Sequence, residues 1–507
     1  MDEEDEHQEQ DPTDIPTLQE LPALLQTKLR AECQHLPSTT RSTLMKSILH
    51  FSVLFSGALG HVNAVEHTID TGATSPVKQR MYRYSPAQHT EIDNQVEKML
   101  SQSVVQPSNS PWASSVVLVR KKDGGWRFAI DYRRLNQLTV GDVYPLPRID
   151  DLLGKLGGAQ YYTTLDLLSG YWQLALAEED RAKTAFITQR GLFEWLRMPM
   201  GLKNAGSSFQ RLMDTILRDL IGQSVLVYLD DVIIFSNSID EHFVHLFEVF
   251  SRLQQAGLTC KLAKCFFAQQ SVEYLGHTIT PNGVDTSPRL VEKILQCQTP
   301  KGVSELRTFL GLMNYYLDRL PGYANYVRPL NKLLHKRAHF HWTAECAESF
   351  EVLKRLLTTA PVLQHPDFAV PFTIYCDASG IAVGGVLSQQ DADGVEHPIK
   401  FVSKALKPAQ RKYSVGELEC LAVITMIRAC KRYVAGTTFT VVTDHKPLLA
   451  LLGRAKEHQN GRLTRWALEL QNYDFNVIHR AGKAHANADA MSRPPIVAAM
   501  VSGVLRS

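Results

Sequence analysis

Apolar and polar positions along the chain change period several times, and each change marks an element. Residues 114–122 form a β-branched run, the turn Asp123-Gly124-Gly125 follows, and a second strand is expected over 126–131. A D-G turn between two such runs predicts a hairpin. Phe209, Leu212, Met213, Ile216, Leu217 and Leu220 recur at helical spacing. Another helix opens on Ser238-Ile239-Asp240-Glu241, a capping box, and carries Phe243, Leu246, Phe247, Phe250 and Leu253 on one face before stopping at Gly257. These stripes read as core. Over 284–339 the pattern turns helical and basic, with Leu306, Phe309, Leu310, Tyr316, Arg319, Arg328, Lys332 and Lys336. After Trp342, strands at 372–376 and 383–388, a helix over about 415–429 and a strand at 439–443 predict an α/β domain.

Two apolar runs are broken by acids. Residues 225–235 read VLVYLDDVIIF, and 161–166 end in Asp166. Burying an unpaired carboxylate costs several kcal/mol, so Asp230 and Asp231 are expected at a tight turn where bound cations offset their repulsion. Carboxylates from two strands suit a two-metal phosphoryl-transfer site, because Mg²⁺ takes oxygen ligands and keeps positions open for phosphates. The C-terminal part repeats the logic. Asp377 ends a strand, Glu417 and Glu419 open a helix, Asp444 ends another strand, and Asp489 lies in the last helix.

At 507 residues several cores are expected, and the composition, with 44% hydrophobic and 21% charged residues, is that of a globular protein. The net charge of +2 conceals an acidic start: the first fourteen residues hold eight acids and no Lys or Arg. Beyond them 54 basic side chains face 44 acidic ones, a surplus suited to holding a polyanion in a local groove. The eight cysteines are scattered without a C-x-x-C pair, which fits an intracellular protein. Cys260, Cys265 and His277 lack a fourth ligand at zinc-finger spacing and read as ordinary core residues. No run of 18 apolar residues and no signal pattern occur, so no membrane partner is expected. Asp70-Thr71-Gly72-Ala73 matches the nucleophile loop of aspartic proteases, but such a site needs apolar strands and a second loop to complete its fold, and a different domain follows too soon, so it reads as a loop.

Five motifs in order give the chain its resemblance: WRFAIDYR at 126–133, LDLLSGY at 165–171, MPMGLKNA at 198–205, YLDD at 228–231 and YLGH at 274–277. With them, roughly residues 65–493 resemble the reverse transcriptase and ribonuclease H portion of gypsy-type LTR retrotransposon Pol polyproteins. The resemblance implies an α+β multidomain fold: a right-hand polymerase with fingers, ferredoxin-like palm and helical thumb, followed by a ribonuclease H-like α/β domain. The implied divisions are an acidic tail and linker (1–60), fingers and palm (61–283), thumb or connection (284–341), the ribonuclease H-like domain (342–495) and a C-terminal tail (496–507). No integrase zinc pattern follows, and no nucleocapsid knuckle precedes the polymerase.

By the same resemblance Asp166, Asp230 and Asp231 match the Mg²⁺ ligands of the polymerase. Lys121 and Arg127 match residues that grip the incoming phosphates, with Lys122 an alternative to Lys121. Tyr171 matches the ring that blocks a ribose 2′-hydroxyl. Lys264 matches a basic residue suggested to protonate pyrophosphate, or is a plain surface lysine. Tyr274, Gly276 and His277 match the support of the primer end. Met200 stands where Gln or Phe is commoner and Gly206 where Pro is usual, both near the nucleotide pocket.

Asp377, Glu419, Asp444 and Asp489 resemble the four ligands of ribonuclease H. Glu419, directly before the apolar run 421–423, fits better than Glu417, a helix-start acid favoured by the dipole. His479 matches a loop histidine that assists product release, and His485 stands where Asn is usual. The implied cofactor is Mg²⁺, two per site, with Mn²⁺ able to substitute. The implied partners are an RNA template, a DNA primer, RNA–DNA hybrid and dNTPs, with a homodimer left open. The implied location is cytoplasmic, within virus-like particles. The rival reading is a domesticated or decayed element-derived protein that binds nucleic acid without catalysis.

Overall fold

In the computed structural model, which describes residues 21–120, 124–336, 338–446 and 461–480, the apolar runs around the first set of acids become neighbouring strands of one sheet. The chain divides into two units, Met1–Leu275 and Gly276–Ser507.

The heart of the first unit runs β1 (Tyr161–Asp166), α1 (Ala205–Ile216), β2 (Val225–Tyr228), β3 (Asp231–Ser236), α2 (Ile239–Gln255) and β4 (Phe266–Gln269). The sheet order β4-β1-β3-β2 with this strand–helix–strand–strand–helix–strand sequence is the split βαβ of ferredoxin-like folds. Strands β2 and β3 are apolar on both faces: Val225, Leu226, Ile233 and Ile234 are completely buried. A separate five-stranded sheet is ordered Val105–Pro107, Gly191–Trp195, Phe186–Thr188, Ser114–Arg120, Trp126–Ile130. Its last two strands form the expected hairpin, with Val119 opposite Arg127.

Three local expectations need correction. Residues before 60, read as tail and linker, contain two helices, Leu21–Glu32 and Ser38–His50, and a turn at Ser52–Phe55. Leu25, Leu44, Ile48, Leu54 and Phe55 are buried at 0–1% exposure, and the Phe55 ring meets Phe250 and Phe267 edge-on. The capping box of α2 closes on one side only. Ser238 Oγ accepts the Glu241 N–H at 3.3 Å, but the Glu241 carboxylate takes the N–H of Asn237. Phe247 is not core but half-exposed, stacked on His50, because its place on the helix turns it towards the edge of the packed face.

In the second unit a hairpin pairs His277–Thr280 with Gly283–Thr286. Helices follow at Pro288–Leu295, Val303–Tyr315, Tyr323–Lys332 and Ala344–Thr358 and share a core of Ile294, Leu306, Phe309, Leu330 and Phe350. Val284, expected to begin the helical stretch, is therefore in a strand, and Arg319 of that basic stretch is buried. Next come β5 (Thr373–Ala378), β6 (Ala382–Gln390), β7 (Glu396–Ala405), α3 (Val415–Ala429), β8 (Thr438–Thr443), α4 (Gly461–Leu470) and β9 (Asp474–His479). The sheet order is β7-β6-β5-β8-β9, antiparallel through β5 and parallel beyond it. Helix α3 is buried from Glu417 through Ile427 and packs closely on β5 and β6. A Cβ at Gly385 would meet the Tyr375 carbonyl oxygen at 1.9 Å and Met426 Sδ at 3.0 Å, so only glycine allows this approach.

Candidate active sites

Register brings the first acids together. Asp231, first residue of β3, stands opposite Asp166, last residue of β1, and is paired on its other side with Tyr228 of β2. Asp230 lies on the turn between β2 and β3, where Leu229 takes a left-handed backbone at φ +57°. Asp231 is open to solvent on one side, yet the protein packed around it, and then the charges of Asp230 and Asp166, push its carboxyl up to about 6. Lys264 Nζ pulls the other way, 3.3 Å from Asp166 Oδ2. The chain of Lys264 is tied to the same strand end, since the Lys261 N–H donates to the Asp166 carbonyl at 2.8 Å.

Around these acids the first unit gathers some of the predicted substrate residues. Tyr171 is half-buried against Phe209, ring centres 5.3 Å apart, and burial followed by the charges of Asp230 and Asp231 pushes its hydroxyl up to about 12. Tyr274 is buried, and its hydroxyl is raised by that burial and by Asp231 and Tyr228. Met200 is exposed ahead of Gly201, whose backbone is left-handed. Arg127 is exposed on the hairpin of the five-stranded sheet, and Lys121 and Lys122 lie outside the described residues. Gly276 and His277 belong to the second unit. There the Gly276 carbonyl accepts the Tyr316 hydroxyl at 2.6 Å, and His277 clusters with the Tyr315 and Tyr316 rings, which also touch each other. Burial and then the Arg319 charge lower His277 to about 3.

The second set closes more tightly. Among the described residues, Asp377 on β5, Glu419 on α3 and Asp444 after β8 offer oxygens that all lie within 4.8 Å of one another. Asp166, Asp230 and Asp231 share a strand end without closing to that spacing. Asp377 is 1% exposed and Glu419 6%. Two buried like charges side by side are costly without a cation, and an all-carboxylate set suits a hard divalent ion. The same three acids, after burial itself, raise the Cys376 thiol. Glu417 points elsewhere: it closes a capping box with Ser414 and meets Arg462 Nη1 at 2.6 Å. His479 reaches the Asp444 carbonyl through Nε2 at 3.1 Å. Asp489 and His485 lie outside the described residues.

Sequence pattern does not single out Gln210 or Arg462. The available signal for Gln210 is an amide inside an otherwise apolar helical stripe, between Phe209 and Leu212. For Arg462 it is weaker, since its partner Glu417 is far away in sequence.

A family model of reverse transcriptase (RNA-dependent DNA polymerase) matches residues 119–279, and one of the RNase H-like domain found in reverse transcriptase matches 367–473. The retrovirus-related Pol polyprotein from transposon 297 of Drosophila melanogaster is 40% identical over 441 residues, covering 86% of this chain and 41% of that protein. The polyprotein from transposon opus of the same fly is 36% identical over 479 residues, 90% and 48% of the two chains. The transposon Tf2-3 polyprotein of Schizosaccharomyces pombe is 36% identical over 416 residues, 82% and 31%. The chain thus spans less than half the length of these relatives. A foamy viral protease-reverse transcriptase solved with double-stranded DNA superposes with a TM-score of 0.80 at 23% identity, covering 92% of this chain and 97% of that one. A further structure of that enzyme with double-stranded DNA gives 0.81 at 22%, covering 91% and 81%. These solved structures establish a shared fold over most of the chain. The chain is therefore a relative of LTR retrotransposon Pol polyproteins, with a reverse transcriptase domain at 119–279 and an RNase H-like domain at 367–473.

Proposed function

We propose that the chain is the RNA-directed DNA polymerase of a gypsy-type LTR retrotransposon with a fused ribonuclease H that cleaves RNA in RNA–DNA hybrids. The observation that carries this reading is two separate carboxylate clusters in one chain, one at paired strand ends within a ferredoxin-like sheet and one between a strand, a helix and a second strand. Fingers and palm are assigned to 61–283, the thumb or connection to 284–341 and the ribonuclease domain to 342–495.

Asp166, Asp230 and Asp231 would hold one pair of divalent cations, and Asp377, Glu419, Asp444 and Asp489 a second pair, with Mg²⁺ the natural ion. When bound, such ions acidify the attacking hydroxyl or water and neutralise charge on the phosphate. The residues of the chain do the rest. Lys264, an ion-pair length from Asp166, balances negative charge where pyrophosphate would leave. The Tyr171 ring, fixed against Phe209, closes the sugar side of the pocket so that dNTPs enter and ribonucleotides do not. Lys121 and Arg127 would meet the triphosphate, Met200 would line the nucleotide pocket, Tyr274, Gly276 and His277 would support the primer end, and His479 would assist product release. Solved neighbours in complex with double-stranded DNA and with RNA/DNA hybrid support nucleic-acid duplexes as partners. The template is RNA, because copying RNA into DNA produces the hybrid that the fused ribonuclease cleaves. A cytoplasmic site of action within virus-like particles, and a homodimer, belong to the same reading.

Extension of oligo(dT) on poly(A) with Mg²⁺ tests it. Purified protein should incorporate dTTP; no incorporation beside a working control enzyme would end the reading. Changing Asp230 and Asp231 to Asn should abolish extension, by at least about 10³-fold, and leave hybrid cleavage intact. Loss of both activities would mean that the two sites are not separable.

A further inference from the structure

The turn that carries Asp230 is strained. Leu229 takes φ +57°, a region that residues other than Gly, Asn and Asp rarely occupy. Its backbone sets the direction of the two residues that follow, so whatever holds it there also aims the carboxylates. One side chain does so. Gln210 of α1, 1% exposed, accepts the Leu229 N–H on Oε1 at 2.8 Å. Its Nε2 donates to Asp214 Oδ1 at 2.9 Å and to the Val227 carbonyl at 3.4 Å. The oxygen meets a donor and the nitrogen meets two acceptors, so only one orientation of the amide satisfies all three. Asp214 is itself fixed by the Tyr144 hydroxyl at 2.6 Å. One turn earlier on α1, a Cβ at Gly206 would lie 3.3 Å from Leu229 Cδ2, so the leucine side chain rests on bare helix backbone.

We propose that Gln210 is a positioning residue of the polymerase site. It clamps Leu229 in the left-handed turn so that Asp230 and Asp231 point toward Asp166, with Asp214 and Tyr144 orienting the clamp from behind. Gln210 touches no substrate; it acts through the Leu229 backbone. The inference rests on the polymerase reading above for its kinetic consequence, but its structural part stands apart from it.

The test compares Q210M, which keeps the length of the side chain and removes its hydrogen bonds, with Q210E combined with D214N, which exchanges donor and acceptor between the two positions. Q210M should lower kcat for primer extension about 10–100-fold and change KM for dTTP by less than about 3-fold. Hybrid cleavage by the same protein should not change. In a D377N background, which disables the second cluster, Mn²⁺ binding followed by electron paramagnetic resonance should weaken by a similar 10–100-fold. Exchange of the Leu229 amide hydrogen should accelerate about 10-fold or more. The paired exchange restores the bond between positions 210 and 214 but not the donor to the Val227 carbonyl, so it should recover part of the extension rate, which a role in packing alone would not allow. Unchanged Mn²⁺ affinity and amide exchange in Q210M would overturn the proposal, as would an equal loss of hybrid cleavage or a failed rescue. If the wild-type chain does not extend primers, the polymerase reading falls, while metal binding and amide exchange still decide the role of Gln210.

Discussion

Glu417 and Glu419 stand two positions apart on α3, roughly 200° around the helix axis, so only one of them can face β5. The local signal for their separation is present in the sequence: Ser414-x-x-Glu417 is a capping box, which assigns Glu417 to the helix start and leaves Glu419 for Asp377 and Asp444. Replacing Glu419 by Gln should therefore abolish hybrid cleavage with little loss of thermal stability. Replacing Glu417 by Ala should cost about 1 kcal/mol in urea unfolding, through the lost cap, while cleavage continues; the reverse pattern would exchange their roles. Tyr171 offers a second test at this scale. Tyr171→Val opens the sugar side of the pocket, and ribonucleotide incorporation should rise by about 10-fold or more relative to dNTPs in a single-nucleotide extension assay. Acids that break apolar strands can be read from sequence because burial makes them expensive. The Gln210 clamp cannot, because its meaning depends on the φ angle of a residue on another element.

Strands and helices with a clear alternation or stripe were legible, among them β2, β3, α1 and α3. The misses have physical causes. β7 and β9 mix polar and apolar residues, so neither shows a clean period. The two N-terminal helices follow an acidic stretch that dominates the composition, and their shared burial against α2 and β4 depends on residues about 200 positions later. Phe55→Ala should destabilise the first unit by about 3–5 kcal/mol, measured by chemical denaturation, whereas a residue in a linker would tolerate it. A second prediction belongs to the packing of α2. His242 is fully buried, with Nε2 on Thr163 Oγ1 at 2.8 Å and Nδ1 on Ser236 Oγ at 2.9 Å, which joins the helix to β1 and β3. Burial, and then the nearby His245, lowers it from 6.5 to about 3. Between those values the unfolded chain binds a proton that the folded chain refuses, so stability is complete above pH 6.5 and falls as the pH drops towards 3. From pH 7 to pH 5 the loss should be roughly 2 kcal/mol. In His242→Gln the curve should flatten over that window; an unchanged slope would assign the pH dependence to other groups.

For the whole molecule, the sequence divides into polymerase and nuclease portions mainly through the order of its motifs, not through any compositional break. Its core pattern alone indicates several folded bodies without saying which acids belong together. Three-dimensional pairing supplies that: Asp166 meets Asp231 by register, and Asp377 meets Glu419 and Asp444 across a sheet and the helix packed on it. The first arrangement has a consequence for how the protein comes into being. Asp166 and Asp231 become neighbours only when β3 folds back on β1, so a growing chain on the ribosome stays chemically silent until residues through Ser236 have emerged. A single-residue deletion in either strand would turn one carboxylate to the opposite face, leaving a chain able to fold a sheet but unable to copy a template. On the proposed polymerase reading, the spacing of these strands therefore matters as much as the identity of the acids.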